Sequence, residues 1–191
     1  MIERAQALEA TALQPIDVFL QPGEFFVGDA THRIRTVLGS CVSVTLWSPL
    51  KRVGAMSHFM LANRCGAPNA DADTATGNPG QWNGKYGDEA LALMLRELLR
   101  HKVSASQCKA KIFGGGDMFP LQRTKGMPAI GRRNGEAARS LLQAHGIEVV
   151  SESLFGEGHR QIVFEVGSGH VWARQLRPHG EASALVPGNT R

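Results

Sequence analysis

The chain has 191 residues, of which 42% are hydrophobic and 20% charged, a composition typical of one soluble globular domain with a sizeable core. No apolar run approaches the roughly 20 residues that a membrane-spanning helix needs, and the N-terminal residues have neither the apolar core of a secretory signal nor its charge pattern. The net charge of +4 comes from scattered Lys and Arg residues, so nothing favours nucleic-acid binding, and an acidic protein partner suits the charge equally well. We expect a cytoplasmic protein that neither enters a membrane nor binds nucleic acid.

The three cysteines, Cys41, Cys65 and Cys108, are an odd number without CxxC spacing. No histidines lie near them at the intervals of a zinc site. This pattern indicates a reducing compartment and free thiols, and we expect no metal ion and no organic cofactor.

The N-terminal part predicts a flexible segment over residues 1–15, a strand over 16–20, a Pro-Gly turn over 21–24 and a further extended segment over 33–38. Thr36 lies in this last segment. Its side chain is either an ordinary β-branched strand residue or an orienting group for a histidine.

A β-hairpin is the central prediction. Val42, Val44 and Leu46 alternate with polar residues, which indicates a half-buried strand, and a second apolar run follows over 53–61. A tight turn centred between Pro49 and Leu50 would join them. In that register Leu46 lies opposite Val53.

The same register places Cys41 opposite His58, at a Cβ separation of roughly 4.5–5.5 Å. A histidine at that distance favours the nucleophilic thiolate, and the preceding Gly39 and Ser40 leave backbone N–H groups free for an oxyanion. Singly, a buried structural cysteine and a hydrogen-bonded histidine are the ordinary interpretations; together, the two residues predict a catalytic dyad. A register shifted by two residues leaves them diagonal neighbours, whereas a shift of one separates them.

Residues 63–87 are rich in Ala, Asn, Asp and Gly and predict a long loop near this site, which could act as a lid held at its far end by Trp82 and Tyr86. Apolar periodicity predicts one helix over 88–101 and a second that follows Asn134 as N-cap and ends at Gly146. The glycine run 114–116 matches no phosphate-binding motif and indicates a close backbone approach to the hairpin.

The C-terminal part predicts a strand over 147–150 and a closing hairpin over 161–173, followed by a disordered tail over 177–191. The expected organisation is a single catalytic domain over 16–176. Its fold class is α/β, a layered sandwich of a largely antiparallel sheet and two main helices.

Six segments in order carry a resemblance to a known family: TVLGSC at 36–41, GAMSHFML at 54–61, KYGDEA at 85–90, GGGDMF at 114–119, IGRRN at 130–134 and GHR at 158–160. Together they make the chain similar to the chemoreceptor glutamine deamidase family, CheD, over roughly residues 16–176. Residues 61–82 are longer here than in the family pattern.

The resemblance implies a cysteine hydrolase that converts glutamine side chains of methyl-accepting chemoreceptors to glutamate and releases ammonia. It implies Cys41 as nucleophile, His58 as base and Thr36 as the third catalytic residue, on a fold similar to deamidating toxins. It also implies receptor cytoplasmic domains as substrates and a CheC-type phosphatase as a partner. The alternatives are another cysteine amidohydrolase and a non-catalytic chemotaxis adaptor.

Overall fold

The computed structural model describes residues 14–64, 81–118, 129–176 and 186–187. The predictions for the N-terminal segment up to residue 13, for residues 65–80 of the long loop and for most of the C-terminal tail lie outside these ranges. Within them the chain forms ten strands and two α-helices, in the order β1 (Ile16–Phe19), β2 (Phe25–Gly28), β3 (His32–Leu38), β4 (Val42–Ser48), β5 (Val53–Ser57), α1 (Gly87–Arg100), β6 (Lys109–Gly114), α2 (Ile130–Ala144), β7 (Glu148–Leu154), β8 (His159–Glu165), β9 (His170–Leu176) and β10 (Val186–Pro187).

The strands divide between two five-stranded sheets. One has the order β1-β3-β8-β9-β10 and the other the order β2-β5-β4-β6-β7. All pairs are antiparallel except β1 with β3 and β6 with β7. The α/β layered class and the largely antiparallel pairing are therefore confirmed. The strands are divided between two sheets.

Strand β4 is the centre of the fold because both of its faces are buried. Val42, Val44 and Leu46 belong to a core that includes Leu91 and Leu98 of α1. The opposite face of β4 packs against the first sheet in a second core. The sequence predicted a half-buried strand with a solvent-facing polar side. That prediction is wrong, because a second sheet covers the side on which Ser43 and Thr45 lie, and both are buried.

Helix α1 begins and ends one residue before the predicted limits, with Asp88 and Glu89 in its first turn. Helix α2 begins at Ile130, and Asn134 is not its N-cap. Asn134 lies in the second helical turn with 1% exposure. Gly146 follows the helix with a φ of +64°, as the predicted end requires. No helix in the described ranges is long and apolar enough to cross a membrane.

The hairpin β4–β5 is present, but its predicted register is wrong by two residues. Leu46 pairs with Ala55, and Ser48 pairs with Val53. The connection has four residues instead of two, because the Arg52 N–H donates to the Ser48 carbonyl at 2.8 Å and Arg52 adopts a φ of +52°. The shifted register places His58 opposite Ser43 and leaves Cys41 as its diagonal neighbour.

Candidate active site

Cys41 is a partly buried residue at the entrance to β4. The next residue, Val42, exchanges two backbone hydrogen bonds of 3.0 Å with Phe59. On the other side, the Cys41 carbonyl accepts the N–H of Gly115 at 2.8 Å, and the Gly39 carbonyl accepts that of Gly116 at 2.9 Å. The backbone that carries the thiol is therefore held from two directions.

The glycine run makes this close approach possible. Gly114 has a φ of +107°, and a Cβ atom there would overlap the carbonyl oxygen of Cys41. A Cβ at Gly116 would lie 2.7 Å from the Gly158 carbonyl oxygen. The prediction that this run lets backbone pass close to the hairpin is confirmed.

Asn134 is a residue whose role the sequence did not reveal. From the buried side of α2, its Nδ2 donates to the carbonyl of Ser40 at 3.1 Å and to that of Met60 at 2.8 Å. One side chain thus joins the residue before Cys41 to the segment after His58. The GRRN motif could have signalled this contact, but an asparagine near the start of a helix is ordinarily interpreted as the N-cap residue.

Arg160 holds the glycine run from the other sheet. Its buried guanidinium donates to the carbonyls of Gly114 at 3.0 Å and Phe155 at 2.9 Å. No ion pair with a carboxylate is found for it among the described residues, and burial lowers its pKa. The arginine acts here as a donor to backbone oxygens, and the Gly114 carbonyl also accepts the Phe155 N–H at 2.9 Å.

His58 is 2% exposed, and its orientation is set by hydrogen bonds from the turn and from β3. Its N–H donates to the Glu24 carbonyl at 2.9 Å, and its own carbonyl accepts the Gly23 N–H at 2.7 Å. The Thr36 hydroxyl lies 2.8 Å from Nδ1 and donates to the Leu20 carbonyl at 2.7 Å. The predicted hydrogen bond between Thr36 and His58 is therefore present.

The direction of that bond determines the tautomer of the ring. Because the Thr36 hydroxyl proton is directed to Leu20, its oxygen is the acceptor for an Nδ1–H of His58. In the neutral imidazole Nε2 then carries the lone pair. Nε2 is buried and has no hydrogen-bond partner in the described part of the chain.

Cys41 and His58 lie on the same face of the second sheet. Ser43, two residues from Cys41, is opposite His58 in the hairpin register, and Cys41 packs in the core that contains Met56. Diagonal neighbours have Cα atoms roughly 7–8 Å apart, with closer Cβ atoms. The structure shows no hydrogen bond from the thiol to Nε2.

The electrostatics of the pair favour its neutral form. Burial raises the pKa of the Cys41 thiol, an effect that its own backbone N–H partly offsets. Burial lowers the pKa of His58, opposed by the Leu20 carbonyl and by Glu24. A neutral thiol beside a neutral imidazole is therefore the favoured resting state, not the thiolate that the sequence led us to expect.

Backbone donors are available beside the thiol. The N–H groups of Ser40 and Cys41 donate to no backbone carbonyl in the described ranges. Met118 and the exposed His159 border this corner, since both lie within 4 Å of a Cβ built on Gly39. The described residues contain no group of three or more His, Cys, Asp or Glu side chains placed to hold a metal ion.

The two ends of the predicted lid are brought together beside the site. Leu61 pairs with Tyr86, and the Arg64 guanidinium lies 4.8 Å from the Tyr86 ring centroid while forming an ion pair with Glu89. Trp82 lies under Arg96, at 5.5 Å. The predicted anchoring by Trp82 and Tyr86 agrees with these contacts, whereas the lid role concerns residues outside the described ranges.

Comparison with known proteins gives a consistent result. The family model described as CheD chemotactic sensory transduction matches residues 68–175, a range that contains the glycine run, Asn134 and Arg160 and begins after His58. The probable chemoreceptor glutamine deamidase CheD 2 of Albidiferax ferrireducens is 56% identical over 171 residues, covering 89% of this chain and 93% of that protein.

Two further relatives bear the same kind of name. The probable chemoreceptor glutamine deamidase CheD 3 of Dechloromonas aromatica is 42% identical over 82% of this chain and 85% of its own length. The corresponding CheD 1 of Chromobacterium violaceum is 39% identical over 83% of this chain and 77% of its own length. On this evidence the chain belongs to the CheD family.

Proposed function

We propose that this protein deamidates glutamine side chains of bacterial chemoreceptors in chemotaxis, with Cys41 as nucleophile, His58 as general base and acid, and Thr36 as the residue that orients His58. The observation that carries the proposal is the state of His58. Its Nδ1 is hydrogen-bonded to Thr36, and its Nε2 has no hydrogen-bond partner among the described residues, on the face that Cys41 shares.

The resting state defines the first step. As the Cys41 sulfur attacks the carboxamide carbon, Nε2 of His58 takes the thiol proton, so the ion pair forms only as the new C–S bond does. The carboxamide oxygen gains negative charge, which the N–H groups of Ser40 and Cys41 would stabilise, since neither donates to a backbone carbonyl in the described ranges. Gly39 itself adds no side chain to this corner, which Met118 and His159 border.

Collapse of the tetrahedral intermediate breaks the C–N bond. His58 returns its proton to the leaving nitrogen, and ammonia departs from a thioester on Cys41. His58 then takes a proton from water, whose oxygen attacks the thioester carbon. The second collapse gives glutamate and restores the thiol, so no cofactor is required.

The proposed substrate is a glutamine on the surface of a receptor helical bundle in the cytoplasm. Cys41 is partly exposed at a strand entrance, which suits a side chain offered by another protein. The net charge of +4 favours an acidic partner. A CheC-type phosphatase that docks over the same corner is part of this proposal.

Mass spectrometry of a receptor cytoplasmic fragment incubated with the protein tests the assignment. Each deamidated glutamine gains about one dalton as amide exchanges for acid. We expect this gain with the unaltered protein and with Cys108→Ser, since Cys108 is buried away from the site. Cys41→Ser should remove it while retaining receptor binding. If Cys41→Ser still deamidated the receptor fragment, the role of Cys41 as nucleophile would be overturned. If the unaltered protein deamidated no glutamine, the proposed deamidase function would be overturned.

A non-catalytic adaptor is the second candidate. The raised pKa of Cys41 and the missing hydrogen bond to His58 favour it. An adaptor would bind the receptor fragment or the phosphatase equally well with Cys41 or Ser at this position, and would release no ammonia in either form.

A further inference from the structure

A cavity of about 310 Å³ lies at the end of β4 away from Cys41. The strands β4, β6 and β7 and the turn between β8 and β9 surround it. Thr45, which lines it, is four residues from Cys41, or about 13 Å along an extended strand. The cavity is therefore separate from the candidate active site, and nothing in the deamidation mechanism uses it.

Lys111 is the unusual residue of this cavity. Its side chain is a cavity wall although the residue is only 8% exposed. Its ammonium donates to the Gly169 carbonyl at 3.1 Å, and no ion pair with a carboxylate is found for it in the described ranges. An ammonium has three donors, so two have no protein partner within the part of the chain that the structure describes. A buried charge without a counter-ion is costly to a fold.

The other cavity walls supply hydrogen-bond donors. Thr45 and Ser151 are the strand neighbours of Lys111 on either side and carry hydroxyl groups. Lys109, two residues earlier on β6, adds a second, exposed ammonium, and His170 lines the opposite side. Basic and hydroxyl groups in one cavity are the chemistry that phosphate and carboxylate ligands require.

Two carboxylates lie at the margin. Glu165 accepts the hydroxyl of Ser168, and Glu148 is in register with Lys109 on β7. Neither forms an ion pair with Lys111. Among residues 14–64, 81–118 and 129–176, no carboxylate therefore compensates the charge of Lys111.

We infer that the cavity is a binding site for a small organic anion, whose phosphate or carboxylate group accepts hydrogen bonds from Lys111 and the neighbouring hydroxyls. Its volume is at the lower end of the range for small-molecule sites. Burial lowers the pKa of Lys111, and a bound anion would reverse that effect. The inference is independent of the proposed deamidation.

Isothermal titration calorimetry and thermal unfolding test the inference, with inorganic phosphate and citrate as the two probes and sodium chloride at equal ionic strength as reference. We expect saturable binding of at least one probe and a higher melting temperature than in the chloride reference. Lys111→Met should weaken binding at least ~10-fold, equivalent to about 1.4 kcal/mol. Lys51→Met, which removes an exposed lysine from the hairpin turn, should leave binding unchanged.

A second variant separates ligand binding from a purely structural role of Lys111 and covers the case that Lys111→Met does not fold. Ser151→Asp places a carboxylate beside the ammonium, so it should raise the melting temperature and abolish the response to both probes. Phosphate and citrate report which acid group is preferred. The inference is overturned if neither probe binds the unaltered protein more than chloride does, or if binding survives in Lys111→Met or Ser151→Asp.

Discussion

Thr36 lies in β3 of the first sheet, His58 directly follows β5 of the second sheet, and a hydrogen bond of 2.8 Å joins the two side chains in the interior of the sandwich. Thr36 is 1% exposed, and its hydroxyl donates a hydrogen bond to the Leu20 carbonyl. The bond therefore selects the Nδ1–H tautomer of His58 without exposing either group to water. Such a contact resembles the orienting member of a catalytic triad.

Replacing Thr36 by Val should lower kcat by about ten-fold or more. A general base without its orienting partner loses part of the rate acceleration, roughly 10²–10⁴-fold, that general acid–base catalysis contributes. Valine keeps the shape of threonine, so KM for the receptor fragment should change little. Ammonia release measured against fragment concentration gives both constants. Thr36→Ser retains the hydroxyl and is the matched control; equal loss in both variants would indicate a packing effect.

The pH dependence of kcat/KM should show an acid limb centred below the ordinary histidine pKa of about 6.5. Burial lowers the pKa of His58, so its neutral, proton-accepting form persists to lower pH than in an exposed histidine. Activity is lost only as pH falls through that lowered value. A limb at or above 6.5 would show that another group governs the reaction.

Asn134→Ala should reduce both stability and kcat. The amide supplies hydrogen bonds to the carbonyls of Ser40 and Met60, and buried carbonyls left without donors cost about 1–3 kcal/mol. Urea unfolding measures the loss of stability, and ammonia release measures the loss of activity. Gln143→Ala, at an exposed position of the same helix, should alter neither.

If Asn134 positions the backbone around Cys41 through its two donated hydrogen bonds, the variant Asn134→Asp provides a sharper test. A carboxylate at this place would face two carbonyl oxygens with no donor of its own, so the variant should be less stable at pH 8 than at pH 5, where protonation restores one donor. Equal stability at both values would contradict the hydrogen bonds described here.

Gly114→Ala should be far more destabilising than Gly146→Ala. Both glycines have positive φ, at +107° and +64°, so both substitutions carry a backbone cost, roughly 1–2 kcal/mol in the left-handed region. At Gly146 nothing lies within 4 Å of the added methyl group, whereas at Gly114 it would overlap the Cys41 carbonyl. Comparing the melting temperatures of the two variants separates the effect of the close contact between Gly114 and the Cys41 carbonyl from the backbone cost. Similar melting temperatures would argue against that contact.

The local elements could be predicted because their signals are local. The apolar spacing and end charges of α1 and the alternation in β4 each require only a few neighbouring residues. The prediction of the hairpin register failed because the register depends on the length of the turn. A four-residue connection that ends on a positive φ at Arg52 is scarcely distinguishable by sequence from a two-residue turn after Pro49.

The prediction that Asn134 is a helix N-cap failed for a different reason. Its preference for a helix cap is a local property, but its position in α2 is decided by carbonyl groups on the hairpin, 74 and 94 residues away in the chain. A buried asparagine is stable in a helix interior when distant partners accept its hydrogen bonds. No periodicity in the chain reports such partners.

The sequence by itself determined the helices, most of the strands and the placement of Cys41 and His58 on one face of the hairpin, because strand pairing and helix formation follow from residues close together in the chain. Only the tertiary structure decided that a second sheet covers the polar face of β4, that the predicted Thr36–His58 hydrogen bond joins two sheets, and that Lys111 is buried with no carboxylate partner among the described residues. These features arise from packing two sheets face to face. That packing brings together side chains whose separation in the chain carries no information about their distance in space.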